Sequence, residues 1–431
     1  MSLRFVIEID WERLDSGPPE ERATFGAIGL RAGDVWLSEA HDRFVNSVRQ
    51  KVHLSGYLLA HWLAWNWWRL RWEPRRRSLA WKMAHRLPTI GGGYVWPNVD
   101  FDGDGERVLL KATPTRACAS EPLRYVTEAG VVVSAPESEY GIEQFIDCIL
   151  GKLRSEDVRQ THLESTWAHV VNERKDAEFA RYRRIEAAMG YDPGEAAESA
   201  VQSLVSETKV LGEDGVAELA AGSVTGVPAP GSKELREIAD RSGYDVDLGS
   251  IPREPIGNQA GQDVGKPSWL GAHHAARDFR NRCGLGGGVL TNQRLAELAG
   301  VSSAVLPGDA TSAPFSFALD GGSETARLVL QSPIVTSRRF ALARLIGDRI
   351  LAKVQEPLVP IMRSYTYRQK RQRAFAAELL CPFEHASQLF DSDFSVDSQE
   401  QVAAEYQVSP MLVRTQLVNN GFLPRETLDD F

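Results

Sequence analysis

Cysteine is scarce: the 431 residues hold four, Cys118, Cys148, Cys283 and Cys381, with no C-x-x-C pair among them. That scarcity and spacing exclude a disulfide framework and a thiolate zinc site. Long apolar runs are also missing, and none approaches the roughly 18–20 residues a bilayer-spanning helix needs. The opening MSLRFVIEIDW alternates charged with apolar residues and lacks a signal-peptide apolar stretch with its cleavage site. These absences point to a soluble, cytoplasmic protein. Basic excess is absent too: 49 Lys and Arg stand against 58 Asp and Glu, a net charge of -9. That balance opposes a sequence-independent nucleic-acid binder, although a local basic patch is still able to do that work. There is no internal repeat and no low-complexity tract. What remains is an ordinary globular composition, 43% hydrophobic and 25% charged, long enough for two or three domains with their own cores.

The texture predicts a multidomain α+β chain in three regions: 1–152, a Trp-rich mixed α/β domain; 153–250, a helical domain; and 251–431, a mostly helical last domain. In the first, Arg4 to Ile9 and Thr24 to Leu30 read as strands. One helix is predicted from Leu54 to Trp72, with Leu58, Trp62, Trp65 and Trp72 on one stripe and Leu59, Leu63, Trp67 and Leu70 on another. Tyr94 to Trp96 and Val108 to Ala112 read as a hairpin around NVDFDGDGE. The middle predicts helices at Glu156 to Glu173, Ala177 to Met189, Pro193 to Thr208 and Asp214 to Ala221. Gly190 suits a C-cap, and Asp192 with Pro193 suits the next N-terminus. Gly222 to Ser232 and Ile251 to Pro267 read as linkers. Beyond them come helices at Ala275 to Cys283 and Asn292 to Ala299, a strand at Arg327 to Leu330, and helices at Arg338 to Lys353 and Gln369 to Leu380.

Four segments carry a resemblance. HAARDFRNRCGL with LTNQRLAELAGV, the strand RLVLQ with SRRFALARLIGDRIL, RQRAFAAELLCP, and the closing VAAEYQVSPMLVRTQLVNNGFL follow one another in order. From about Trp269 to Leu423 the chain resembles the ImmA/IrrE-type metallopeptidases, whose RRFTLAHELGHLLL helix carries an H-E-x-x-H zinc motif and whose EANRFAAELLMP segment follows. The resemblance implies a zincin-like fold and a regulatory setting in which active members cleave repressors. In H-E-x-x-H, two histidines four residues apart share a helix face and hold zinc, while the Glu activates its water. The register set by RRF-x-LA puts Arg344 at the first His, Leu345 at the Glu and Asp348 at the second His. Arginine has no lone pair for a metal, and leucine accepts no proton. The third, acidic ligand falls at Gln369 or Arg371, within a run of four cations that repels a divalent ion. No metal and no cofactor is therefore expected. Arg344 and Asp348 read either as an i,i+4 ion pair on a surface helix or as a pair that plugs the old metal cleft or receives a partner.

The other candidates are weaker. Asp100, Asp102, Asp104 and Gly105 imitate an EF-hand opening, but the twelfth position is Lys111, so a hairpin turn accounts for them better. Gly91 to Gly93 lacks the context of a phosphate loop. His273 and His274 point to different helix faces, and His162 and His169 stand too far apart for one metal. Seven of eleven tryptophans fall between Trp62 and Trp96. Core is their favoured reading, with Trp67 and Trp72, beside Arg75, Arg76 and Arg77, as the alternative partner-binding surface. The tail reads as a helix-turn-helix-like pair at Gln399 to Tyr406 and Pro410 to Asn420. Its second helix carries only Arg414, so packing is favoured over DNA contact. The leading functional reading is a catalytically inactive, protein-binding regulatory factor. A metallopeptidase with a rebuilt site and a DNA-binding transcriptional regulator are the alternatives.

Overall fold

The structure, a computed structural model, describes residues 3–116, 121–223, 227–251, 268–320 and 326–428. Cys118 and most of the Ile251 to Pro267 stretch lie outside them. The chain is a mixed α+β protein, and no helix among the described residues is long and apolar enough to cross a membrane.

The N-terminal strands β1 (Phe5–Trp11), β2 (Phe25–Ala32) and β3 (Val52–Ser55) pair antiparallel in that order. The single helix expected from Leu54 to Trp72 is instead β3 followed by α1 (Gly56–Trp65) and α2 (Trp67–Trp72). The break falls at Asn66, whose side-chain Nδ2 donates to the Trp62 carbonyl at 2.9 Å; a short amide competes with the ladder it sits in. Ser55 caps α1, accepting from the Leu58 amide. The hairpin consists of β4 (Val99–Gly103) and β5 (Arg107–Ala112), extended by β6 (Ala129–Ser134). Tyr94 to Trp96, expected as its first strand, is not one; the apolar Phe101 faces the core there, so Asp100 and Asp102 stand within a strand and only Asp104 to Glu106 turn. The long helix α3 (Ala135–Ser155) follows, which the sequence reading did not place. It lies so close to β1 that a Cβ on Gly141 would stand 2.2 Å from the Phe5 carbonyl oxygen.

The middle comprises α4 (His162–Lys175), α5 (Ala177–Met189), α6 (Glu198–Leu211), α7 (Glu213–Gly222) and α8 (Ser232–Ser242). Helix α5 has the expected bounds: Asp176 caps its start and Gly190, at φ 92°, closes it in the left-handed region. Asp192 does not start the next helix; its carboxylate takes the Arg69 guanidinium at 2.6 Å, and α6 begins six residues later than Asp192. Leu163, Trp167 and Val170 of α4 pack into the N-terminal core.

In the C-terminal unit, β7 (Tyr244–Val246), β8 (Ser316–Leu319), β9 (Ala326–Val329) and β10 (Leu358–Ile361) form one antiparallel sheet in the order β7-β9-β8-β10. Its side chains alternate with period two. Phe317, Leu319, Val329 and Leu358 meet the middle helices around Val216, Leu219 and Leu235. Ala318, Leu328, Val359 and Ile361 meet α9 (Ser268–Arg282), α11 (Val335–Leu351) and α12 (Tyr367–Leu380). The sheet is thus sandwiched between two helical layers. Helix α10 (Asn292–Leu298) packs on α11, and the tail pair is α13 (Val396–Tyr406) and α14 (Pro410–Asn419), joined through Gln407 at φ 55°. Helix α11 is no surface helix, as one reading of Arg344 and Asp348 required: every residue from Arg338 to Ile350 except Phe340 is buried.

Candidate functional site

Three of the positions singled out by the resemblance, Arg344, Asp348 and Gln369, come together where α11 and α12 cross beneath the edge strand β10. Arg344 and Gln369 are 25 residues apart in sequence. The Arg344 Nη2 donates to the Gln369 Oε1, to the Gln372 Oε1 at 3.0 Å and to the Met362 carbonyl at 2.8 Å. Gln369 also accepts from the Met362 amide at 2.8 Å and donates to the Pro360 carbonyl at 3.0 Å. Each partner is fixed by backbone of β10 or its exit, so the guanidinium sits in a preformed cradle. Burial, with Arg373 nearby, pushes Arg344 well below the ordinary guanidinium range. Its Nε has no hydrogen-bond partner among the described residues.

The i,i+4 ion pair between Arg344 and Asp348 does not form. Gln372 stands between them, donating from Nε2 to Asp348 Oδ1 at 2.8 Å. Asp348 is held by Arg368 in a two-pronged contact, Nε to Oδ1 at 2.7 Å and Nη2 to Oδ2 at 2.8 Å. Burial works to raise the Asp348 carboxyl, but Arg368 and Gln372 outweigh it and hold it below the usual carboxylate range. Both of its oxygens are committed to the guanidinium. Leu345, at the position of the water-activating Glu in the resemblance, is fully buried in the core. Arg371 is not part of the cluster: its Nη1 donates to the Leu351 carbonyl at 3.2 Å and its guanidinium lies 5.1 Å from the Tyr367 ring.

Sequence reasoning missed Arg368, Gln372, Glu218 and Glu356. Arg368 was counted only among the cations that repel a metal, and Gln372 lies one helical turn beyond Gln369 on the same face, a signal that was available. Glu218 and Glu356 come from segments with no motif. Glu218 on α7 is buried beside this cluster with hydroxyl partners, the Ser364 Oγ standing 3.3 Å away. Burial raises its carboxyl above the ordinary range. The folded chain therefore binds a proton at a pH where the unfolded chain has lost it, so Glu218 costs stability at neutral pH and that cost fades as pH falls through the folded value. Glu218→Gln is expected to raise the melting temperature at pH 7–8 and to lose that advantage on acidification toward the ordinary glutamate value of about 4.3. Scanning calorimetry at several pH values checks this; a pH-independent offset contradicts it.

A cleft of about 170 Å3 opens beside the cluster, lined from all three regions by residues that include Trp72, Asp104, Arg184, Glu218, Asp348 and Arg368. Of the remaining candidates, Trp72 and Asp104 line this cleft. Trp67 is buried edge-on to Trp167 at 5.1 Å with Arg174 over its ring at 4.7 Å. Trp72 has the guanidinium groups of Arg71 and Arg184 over its ring at 4.6 and 4.3 Å. Arg75 pairs with Asp102 at 3.4 Å, and Arg77 is exposed. Arg76 reaches the carbonyls of Ala188, Ala221 and Ser223 at 2.9, 3.1 and 3.0 Å. Arg414 is half-buried and donates to Gln399 at 2.9 Å, joining the two tail helices. Asp100 is taken by Arg86 at 2.7 Å, and the Asp104 Oδ1 accepts the Glu106 and Arg107 amides at 3.2 and 2.9 Å. Among the described residues no group of three or more His, Cys, Asp or Glu side chains is placed to hold a metal ion. His273 is buried against Trp269, 3.8 Å from Glu378, while His162 and His169 are exposed.

Comparison with protein-family models, with curated proteins and with solved structures finds no match to this chain.

Proposed function

We propose that the chain is a catalytically inactive ImmA/IrrE-like protein that works as a protein-binding regulatory factor in a stress, mobile-element, toxin–antitoxin or phage-defence setting. One observation carries the reading. The resemblance assigns Arg344 and Asp348 to two ligand positions and offers Gln369 or Arg371 for the third; Gln369 joins the first two at the crossing of two helices, through Gln372, while Arg371 lies apart. The helix α11, laid against an antiparallel sheet beside its edge strand β10, also suits a zincin-like unit. In place of a metal stands a guanidinium, and in place of the acid that activates water stands Leu345, so the unit keeps a framework for recognition without the means to cut.

The test is capture with the full-length chain as bait in extract of its native cell. A protein partner is expected at a fixed ratio, with its mass unchanged after overnight incubation. Cleavage of the retained protein, or no retained protein at all, overturns the reading.

A further inference from the structure

The first turn of α12 is a junction of all three regions. The Tyr367 amide donates to the Asp104 carbonyl at 2.9 Å and Lys370 pairs with the Asp104 carboxylate at 3.3 Å, which ties the turn to the N-terminal hairpin. Arg368 grips Asp348 of α11 and reaches Glu356 at 3.4 Å. Glu356 in turn caps the start of α7, accepting from the Asp214 amide at 2.9 Å and the Gly215 amide at 2.7 Å. It comes from the short strap of residues 352–357, in which Lys353, Val354 and Gln355 are exposed.

The seat for Glu356 is shaped by glycine. Gly212 holds φ 90°, and a Cβ there would stand 2.5 Å from the Glu356 carboxyl carbon. A carboxylate bound at two amides of a helix start is favoured by both hydrogen bonding and the helix dipole.

We propose that the strap and the first turn of α12 form a latch: when Glu356 leaves its seat, the first turn of α7 comes free and the cleft over Glu218 opens, while α11 and α12 stay folded. The chemistry is a single exchange, in which two amides and one guanidinium give up a carboxylate to water. The inference rests on these contacts and stands whether or not the family reading does.

Hydrogen exchange and carboxyl footprinting of the full-length chain test it. In Glu356→Ala, the amides of 213–216 are expected to exchange about tenfold faster, the effect of losing a helix cap, and Glu218 is expected to label several-fold faster. Gly212→Ala keeps the carboxylate but crowds its seat, and should give the same two signatures. Unchanged exchange at 213–216 in both variants, exchange that rises evenly across α5 to α12, or Glu218 staying unlabelled each overturns the latch.

Discussion

Asp348→Ala is expected to lower the unfolding free energy by about 3–5 kcal/mol, the usual cost of breaking a buried ion pair at one partner. The side chains of Asp348 and Arg368 are 3% and 17% exposed, so solvent screens the pair little. Removing the carboxylate strands a buried guanidinium whose remaining neighbours include Glu356 at 3.4 Å, the Leu358 carbonyl at 3.4 Å and the nearby carboxyl of Glu218, none of them a two-pronged contact. Gln372 also loses its acceptor on Asp348. Pairing the change with Arg368→Met removes the stranded charge, so the double variant should be more stable than Asp348→Ala, with a coupling of roughly 2–3 kcal/mol. Chemical denaturation of the four species of the cycle measures this. A residue whose purpose is to bind metal would show a different pattern, with Asp348→Ala nearly neutral in stability; a loss below about 1 kcal/mol contradicts the structural role assigned here. The pH dependence runs opposite to that of Glu218: the depressed Asp348 carboxyl contributes stability above the ordinary aspartate value of about 3.9, lost as pH falls through its lower folded value.

Arg76→Ala is expected to cost about 2–3 kcal/mol, while Arg77→Ala two residues from Arg75 stays within about 0.5 kcal/mol. The two arginines are adjacent and identical in type, and only position separates them. Arg76 delivers its donors to the Ala188, Ala221 and Ser223 carbonyls, at the ends of α5 and α7. These are the orphan acceptors of helix C-termini, where a cation also meets the negative end of the dipole. The contact docks the N-terminal region onto the middle helices, so its loss should also speed proteolysis between them. Thermal denaturation of both variants checks the contrast; equal effects contradict it.

What was legible in the sequence was local. Helix α5 has its bounds written at both ends, Asp176 as N-cap and Gly190 as the left-handed stop. The tail pair was legible as two helices, but the first begins at Val396 behind its Ser395 cap, three residues before the expected Gln399. The strands β8 and β10 were not legible, because a strand buried on both faces shows no alternation; β10 reads LVPI, and its Pro360 is tolerated because the strand lies at the sheet edge. The anchor RRF-x-LA was recognised as a motif without its reason. Arg338 and Arg339 are almost wholly buried, the first satisfied by the Val305, Asp309 and Ser332 carbonyls and the Tyr244 hydroxyl, the second by the Leu290 and Gln407 carbonyls and Asn292. Backbone acceptors from distant segments leave no trace in a sequence pattern. The same is true of the site: the motif spacing singled out Arg344, Leu345 and Asp348, while the amide of Gln372 and the carboxylate of Glu356 entered only through the crossing of α11, α12 and α7.

Zinc content tests the central claim most directly. The full-length chain, equilibrated with excess zinc and then dialysed, is expected to retain far less than one equivalent by elemental mass spectrometry, because Arg344 fills the cradle and both Asp348 oxygens are bound to Arg368. One equivalent of zinc that is retained by the wild type and lost in Asp348→Asn contradicts the account.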